Sequence, residues 1–231
     1  MKKLLALALC AGIFTTAKSQ VYVQGGVNFA NISNSNSGTV EDNNMLTTFN
    51  AGVLGRFGLS SIIDLESGLL LSGQGAKTET YFTDDRDNNY VKAKFNPLYL
   101  QVPVNLVIKF PLNDKAGIFL HAGPYAAMGI AGNSKVDSKI LGVTSSSTDK
   151  IEFNNDDPTT DEQEGAAYNR IKRFDFGLNV GGGIDLGKIL LKANYGMGFA
   201  KIRSTETNNS DNDKNKYRTL SVSVGIPLSR F

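Results

Sequence analysis

Residues 98–110 read LYLQVPVNLVIKF, and apolar side chains occupy every second position of this stretch. The apolar set is Leu98, Leu100, Val102, Val104, Leu106, Ile108 and Phe110. The positions between them hold a mostly polar set, which is Tyr99, Gln101, Pro103, Asn105, Val107 and Lys109. Such alternation predicts a β-strand with one apolar face. The fold depends on what that face contacts, which is protein in a soluble sandwich or lipocalin-like barrel and lipid in a membrane barrel.

The amino terminus, MKKLLALALCAGIFTTAKSQ, has the pattern of a secretory signal peptide. Lys2 and Lys3 precede an apolar run, and the small residues Ala17 and Ser19 predict cleavage before Gln20. The only cysteine, Cys10, lies inside this segment; lipid attachment there is the alternative, although the preceding Leu9 is larger than a lipidation site prefers. The predicted organisation is a signal peptide over residues 1–19 and one domain over residues 20–231.

The basic character of the chain belongs to its first residues. The formal charge of the whole chain is +2, and it becomes −1 when Lys2, Lys3 and Lys18 are removed with the signal peptide. The other basic residues are interleaved with acidic ones, so no patch for nucleic acid is expected. No later run approaches the roughly 20 apolar residues that a transmembrane helix needs.

Alternation recurs in eight segments along the chain. They cover residues 21–29, 49–59, 63–74, 98–110, 118–130, 173–185, 191–199 and 219–228. The links alternate between tight turns, such as SS, PLNDK and LG, and long polar loops of about 16 to 40 residues. Transmembrane barrels have short turns on the periplasmic side and long loops outside. A structureless loop of 40 residues counts against a soluble domain.

The polar face of the predicted strands favours lipid as the environment of the other face. It is rich in glycine, which weakens an open water-facing strand but makes room for larger side chains inside a narrow barrel. Its charged residues are four of each sign, and with the single histidine they form the predicted lumen charge network: Arg56, Asp64, Glu66, Lys109, His121, Arg173, Asp175, Asp185 and Lys192. A lipocalin-like barrel with the pattern inverted is the alternative. The predicted fold class is all-β, an eight-stranded antiparallel transmembrane β-barrel with short periplasmic turns and long extracellular loops.

The chain resembles the PorT-like outer-membrane β-barrel family over nearly all of its mature length. The resemblance is carried by an ordered set of segments: AKSQ, VYVQGGVNFANIS, LYLQVPVNLVIKF, IFLHAGPYAAMGI, RFDFGLNVGGGIDLGKILLKANYGMG and LSVSVGIPLSRF. It implies an eight-stranded barrel in the lipid of a Gram-negative outer membrane. Phe231 resembles the terminal residue of a signal for the barrel-insertion machinery, although the apolar residues 220–228 are out of phase with it. Pro103, Pro124 and Pro227 lie within strands, so we expect local bulges there.

Candidates for catalysis and metal binding are few. His121 is expected in the lumen beside Tyr125 as a hydrogen-bonded interior residue, because one histidine makes neither a triad nor a transition-metal site without partners. The acidic segments 84–89 and 154–164 offer oxygen ligands for calcium but lack the spacing of a known calcium loop, so solvated loops are expected. The glycines at 181–183 precede no helix and predict no phosphate site. No enzyme, cofactor or metal is predicted.

Aromatic residues on the apolar face lie near predicted strand ends, where rings form girdles at membrane interfaces. They are Phe57, Phe110, Phe174, Tyr195 and Phe199.

Three functional hypotheses remain. A plugged barrel with a structural or interaction role, in adhesion or secretion, through its external loops is favoured; a small pore or transporter and a loop-based outer-membrane enzyme are the alternatives. The third loop, residues 131–170, has a formal charge of −4 and few apolar residues, so we expect it to be mobile and to become ordered only against a basic protein partner or a cation. A hairpin from KVDSKILGV and DKIEF, raising the strand count to ten, is the other possibility; such pairing is expected to extend the barrel wall above the membrane.

Overall fold

The computed structural model describes residues 19–36, 39–41, 45–81, 89–113, 116–140, 142–157, 159, 170–202 and 216–230. Thirteen strands occur in these ranges. In chain order they are β1 (Ser19–Asn36), β2 (Thr39–Glu41), β3 (Leu46–Gly58), β4 (Ile63–Gly73), β5 (Ala76–Tyr81), β6 (Tyr90–Pro111), β7 (Gly117–Ile140), β8 (Val143–Lys150), β9 (Glu152–Asn154), β10 (Arg170–Lys172), β11 (Phe174–Asp185), β12 (Leu190–Gly198) and β13 (Lys216–Arg230). No helix in the described part of the chain is long and apolar enough to cross a membrane.

Eight of the strands close into an antiparallel ring. The order around the ring is β1, β3, β4, β6, β7, β11, β12 and β13, and β13 pairs with β1 to complete it. Closure gives the backbone N–H and C=O groups of both edge strands hydrogen-bond partners. Within lipid, only helices and closed barrels satisfy all of these groups. The predicted eight-stranded barrel is therefore confirmed.

The stretch 98–110 lies in β6 and has the predicted alternation of burial. Val102, Val104, Leu106, Ile108 and Phe110 are 38–48% exposed on the outer surface. The residues of the other parity face the lumen, and Tyr99, Gln101, Asn105 and Val107 are almost fully buried there. The apolar face therefore points away from the barrel axis, which excludes the inverted lipocalin-like arrangement.

The outer surface is apolar on the other ring strands too. Of the five predicted girdle aromatics, Phe110, Phe174, Tyr195 and Phe199 are 40–48% exposed, and Phe57 is half-buried.

Glycines on the inner face allow close packing of neighbouring strands. A Cβ atom at Gly123 would collide with the carbonyl oxygen of Val104 on the adjacent strand β6, and one at Gly181 would lie 2.6 Å from Cε1 of His121. Even alanine at these two positions would force the wall or the lumen side chains to move.

The prolines affect the barrel differently. A register shift between Val21 and Tyr22 opposite Pro227 is a bulge, as predicted. At Pro103 and Pro124 the expected bulges are wrong, because the β6–β7 pairing is interrupted between Pro103 and Leu106 but resumes in the same register. The β4–β6 pairing is also interrupted beside Pro103, and there the Ser67 hydroxyl donates a 2.8 Å hydrogen bond to the Pro103 carbonyl oxygen.

The two ends of the barrel differ. At the turn end, residues 59–62, 112–116 and 186–189 connect adjacent strands, and the last of these turns contains Gly187 at φ +79°. At the loop end, β6 and β7 continue past the ring; β5 pairs with β6 over residues 90–95, and β8 pairs with β7 over residues 133–140. We call this four-stranded part, residues 76–81, 90–97, 132–140 and 143–150, the outer sheet.

The outer sheet corrects the prediction that residues 131–170 form a mobile loop. Residues 131–140 and 143–150 are paired strands, as in the hairpin alternative, and they extend the wall without adding strands to the ring. β9 and β10 form a separate short parallel pair. Residues 160–169 lie outside the described part, as do residues 84–88 and Phe231.

Candidate functional site: the polar lumen and its aromatic cap

The centre of the lumen is organised around the carboxylate of Glu66 on β4. Glu66 is fully buried. Its Oε2 accepts hydrogen bonds from the Tyr22 hydroxyl at 2.7 Å and from Arg56 Nε at 2.9 Å. Its Oε1 accepts from Asn105 Nδ2 at 3.0 Å and from Nζ of Lys192. A buried carboxylate is stable only when its charge is paired and its lone pairs are satisfied, and both conditions are met here.

Arg56 shares the Glu66 carboxylate with Lys192, and it also contacts two aromatic rings. Its guanidinium lies 4.0 Å from the ring centroid of Phe119 and 5.5 Å from that of Tyr22. The negative faces of aromatic rings stabilise a cation that is removed from water. Nη2 of Arg56 has no hydrogen-bond partner within the described residues.

A second charge pair lies nearer the turn end. Lys109 Nζ is 2.6 Å from Asp64 Oδ1, and the lysine side chain is 37% exposed. Asp185 stabilises the β11–β12 turn, because its Oδ1 accepts a 2.7 Å hydrogen bond from the Gly187 amide. A cavity of about 280 Å³ at this end is lined by Arg56, Lys109, Phe119 and Asp185, among others.

The other predicted network residues have uncharged partners. The Tyr125 hydroxyl donates to Asp175 Oδ2 at 2.9 Å, and Arg173 Nη2 donates to the Phe153 carbonyl oxygen at 3.2 Å. His121 Nε2 lies 3.1 Å from Asn194 Oδ1. The contacts of the nine predicted residues therefore divide them: Arg56, Glu66 and Lys192 meet, Asp64 and Lys109 form a separate pair, and Asp175, Arg173 and His121 have other partners. Asp185 lines the same cavity as Arg56 and Lys109.

A layer of amide and hydroxyl side chains follows the Glu66 cluster toward the loop end. Asn50 Nδ2 donates to Asn28 Oδ1 at 2.7 Å, and Asn50 Oδ1 accepts from Gln24 Nε2 at 3.1 Å and from Ser223 Oγ at 3.0 Å. Asn28 Nδ2 donates in turn to Ser72 Oγ at 3.1 Å. These uncharged groups link the consecutive strands β13, β1, β3 and β4 along one side of the lumen.

An aromatic cluster, here called the aromatic cap, closes the loop end. Its buried members are Phe95, Tyr99, Tyr125, Ala127, Ile151, Ile171, Ile202 and Tyr217, and Ile32 and Phe153 pack against them. The Tyr99 and Tyr217 rings meet edge to face at 5.5 Å, with their hydroxyls 3.3 Å apart, and Phe153 lies edge-on to Tyr99 at 5.9 Å. The segment predicted to be mobile thus supplies Ile151 and Phe153 to a packed cluster.

Little space remains among the described side chains between the cap and the Glu66 cluster. Two cavities of about 30 Å³ each are lined mainly by the amide and hydroxyl groups. Each is large enough for a water molecule or two and too small for a solute pathway.

Several residues of the lumen were left out of the predicted network. Tyr22, Asn105, Tyr99 and Tyr217 are buried there, and the first two contact Glu66 directly. All four lie on the inward parity of their strands. Alternation placed Tyr99 and Asn105 on the polar face and could have placed Tyr22 and Tyr217 there, but it does not predict their partners. The described residues contain no group of three or more histidine, cysteine, aspartate or glutamate side chains that could hold a metal ion.

A closed ring of eight strands, an apolar outer surface and a polar, filled interior define a transmembrane β-barrel of the outer-membrane class. Residues 15–204 match the outer membrane protein beta-barrel domain family, and the chain belongs to that family. The protein is thus an outer-membrane β-barrel protein, with the turn end on the periplasmic side and the loop end at the cell surface.

Solved barrels resemble the chain only distantly. Ail, the attachment invasion locus protein of Yersinia pestis, is 15% identical, with a TM-score of 0.40 over 93% of this chain and 99% of Ail. Neisserial surface protein A is 12% identical, with a TM-score of 0.38 over 89% of this chain and 96% of that one. The N-terminal barrel of Pseudomonas aeruginosa OprF is 9% identical, with a TM-score of 0.32 over 91% of this chain and 99% of that one. No curated protein matches the sequence.

Proposed function

We propose that this protein is a closed barrel that acts by contact at the cell surface and does not conduct solutes. The observation that carries the proposal is the filled lumen, which is occupied in series by the Glu66 cluster, the amide layer and the aromatic cap. Eight-stranded barrels have an interior just wide enough for side chains to fill. Because the lumen is filled, the parts of the barrel outside the membrane are the ones available to bind a partner.

The outer sheet and the segment after it are the proposed contact surface. β8 is exposed along its whole length and lies at the end of the strand order, with β7 as its neighbour. Sheet edges can accept a further strand from another chain. Asp149, Glu152 and Asp157 are exposed beside this edge, so a basic protein partner fits the charge.

Conductance of the purified protein in a planar bilayer tests the closed lumen. We expect no steady current at voltages that leave a bilayer intact. An eight-stranded barrel with known channel activity, measured under the same conditions, serves as the positive control. A stable open channel from pure protein would favour the small-pore alternative and end the proposal.

Binding to a cationic peptide tests the contact surface. Proteoliposomes carrying Asp149→Asn, Glu152→Gln and Asp157→Asn should bind a lysine- and arginine-rich peptide more weakly than wild type, and the difference should shrink in high salt. A variant with Asp149→Glu, Glu152→Asp and Asp157→Glu keeps all three charges and is the matched control. Equal binding by the amide variant and this control would remove the acidic surface from the proposal.

The proposal assigns no catalytic activity to the protein, and it includes removal of residues 1–19 on export. The first part is supported by His121, whose described polar partner is an amide oxygen. The second is supported by the signal-like composition of residues 1–19. Mass spectrometry of the protein from outer membranes should find Gln20 as its first residue; an intact amino terminus would contradict this.

A further inference from the structure

The outward face of the outer sheet carries a row of lysines. The register pairs Lys77 with Lys94 and Lys94 with Lys135, so three lysines on adjacent strands lie side by side. The next row out consists of Glu79, Lys92 and Asp137. Side chains directly opposite one another on a sheet have Cβ atoms about 5 Å apart, so the three ammonium groups can reach one ligand.

Burial identifies the face on which these residues lie. The row on the opposite face, Ala76, Phe95 and Ser134, is 4–9% exposed and turns toward the barrel axis. Lys77, Lys94 and Lys135 therefore point away from the axis, on the same side of β6 as the lipid-facing Leu98 and Leu100. The lysine row continues the lipid-facing surface of the barrel beyond its apolar band.

Positive charge is in excess on this face. Among the described residues of β5, β6 and β7 it holds five lysines, which are Lys77, Lys92, Lys94, Lys135 and Lys139, against the two acids Glu79 and Asp137.

The two acids do not balance the row. Asp137 lies 2.8 Å from Lys135, and Glu79 is shared by Lys77 at 3.8 Å and Lys92 at 3.7 Å. Within the described residues Lys94 has no acid in ion-pair range, and it is exposed. Like charges placed directly opposite on a sheet destabilise it, so a bound anion would relieve this row.

The ammonium groups of the row can reach the layer of the lipid head groups. Lys94 is four residues beyond Leu98, which corresponds to about 13 Å along a strand and less along the membrane normal, because barrel strands are tilted. The polar layer on each side of the hydrocarbon core is roughly 5–8 Å thick. Lysine can also bend its apolar stem toward the membrane and keep its ammonium group in the polar layer.

We propose that Lys77, Lys94 and Lys135 form a binding site for the phosphate groups of a phosphorylated glycolipid in the outer leaflet. Charge complementarity and continuity with the lipid-facing surface support this occupant over a soluble one. Acidic side chains would repel such a lipid, but Asp149 pairs with Ser134 on the opposite face of the sheet, and Glu152 and Asp157 lie beyond β8. The site goes beyond the proposed function and depends neither on a closed lumen nor on a protein partner.

Lipid binding to the intact barrel tests the site. The detergent-solubilised protein is titrated with phosphorylated lipid A, with the same lipid after phosphatase treatment, and with inorganic phosphate, and bound lipid is counted by native mass spectrometry. The variant Lys77→Gln, Lys94→Gln and Lys135→Gln should bind phosphorylated lipid A roughly a hundredfold more weakly, since each lysine near an anionic surface contributes about fivefold. The variant Lys77→Arg, Lys94→Arg and Lys135→Arg keeps the charge, and Lys188→Gln at the turn end removes a distant lysine; both should bind like wild type.

Three outcomes would overturn the proposal. The first is equal binding of phosphorylated and dephosphorylated lipid by the wild type. The second is equal binding of phosphorylated lipid by the glutamine and arginine variants, provided that both migrate as folded, heat-modifiable barrels. The third is competition by inorganic phosphate, or by a soluble sulfated polysaccharide, at the concentration at which the lipid itself binds, because the row would then be a site for soluble anions. The lipid-binding results do not depend on the conductance and peptide experiments, so a negative result in either of those would not change the conclusion about the lysine row.

Discussion

Glu66 joins two walls of the barrel through one carboxylate. Arg56 lies directly opposite it on the neighbouring strand β3, whereas Lys192 reaches it across the lumen from β12. Buried ion clusters contribute little net stability compared with apolar packing, but removal of one member leaves the others charged and without a partner. The cluster therefore fixes the packing of the lumen and makes the barrel sensitive to its single anion.

Replacement of Glu66 by alanine should destabilise the barrel strongly. Arg56 and Lys192 would remain buried without their anion, at a cost of about 3 to 5 kcal/mol. Unfolding by urea in lipid vesicles, followed by the heat-modifiable shift on gels, measures this. Glu152→Ala, at a side chain that is 61% exposed, is the control and should cost less than about 0.5 kcal/mol. Equal midpoints for the two variants would mean that Glu66 is not the centre of the lumen.

Tyr22→Phe removes one hydroxyl from the same cluster and leaves the ring in place. Loss of its hydrogen bond to the ionised Glu66 should cost about 1.5 to 3 kcal/mol in the same unfolding assay. Tyr195→Phe is the matched control, because that ring is 42% exposed on the outer surface and should change stability little. If the two phenylalanine variants unfold alike, the Tyr22 contact contributes nothing measurable.

Parity predicts which residues enter the lumen but not which of them meet. Inward positions such as Arg56, Glu66 and Lys192 follow from alternation within one strand. The contact between Lys192 and Glu66 joins positions 126 residues apart, and that between Tyr22 and Glu66 joins positions 44 apart. Such pairs depend on the register of every strand between them, which the sequence of one strand does not contain. The equal numbers of positive and negative residues on the inward face therefore predicted a single network. In the structure these residues form separate clusters.

At the scale of elements, the ring strands were predictable and the outer sheet was not. A lipid-facing strand needs an apolar residue at every second position, which leaves a strong signal in LYLQVPVNLVIKF. Strand β8 of the outer sheet is exposed along its whole length, so its sequence, VTSSSTDK, has the polar composition of a loop. The cap residues Ile151 and Phe153 were hidden because composition averaged over residues 131–170 is acidic and polar.

Deletion of residues 134–164 should separate the outer sheet from the barrel. The β6–β7 pairing from Pro111 with Gly117 to Leu98 with Ala131 is retained, so we expect correct insertion and a heat-modifiable protein. The deletion removes β8 and the exposed acids, and binding of the cationic peptide should be lost. The variant Asp149→Asn, Glu152→Gln and Asp157→Asn keeps the sheet and distinguishes loss of charge from loss of the strand. A deletion variant that fails to insert would mean that the outer sheet is part of the fold.

At the scale of the whole molecule, the lumen is closed at more than one level. The aromatic cap is held by packing at the loop end, and the Glu66 cluster is held by charge and hydrogen bonds nearer the turn end, with the amide layer between them. Their interactions are of different kinds and share no residue. The narrowest point of a channel limits the passage of solutes. If the aromatic cap is removed, the Glu66 cluster should therefore still block the lumen.

Clearing the cap alone should therefore leave the barrel closed. Tyr99→Ala, Ile151→Ala and Ile171→Ala together remove one ring and two aliphatic side chains from the cap, while the Glu66 cluster stays intact. In planar bilayers this variant should conduct no steady current, like the wild type, because the cavities below the cap hold only about 30 Å³ each. Its barrel should be less stable by several kcal/mol, since each large-to-small substitution in a packed core costs about 2 to 5 kcal/mol, and heat-modifiable migration must be checked before each recording. A stable channel from this folded variant would mean that the cap is the gate and that the polar lumen beneath it is permeable, which would turn the protein from a closed barrel into a capped pore.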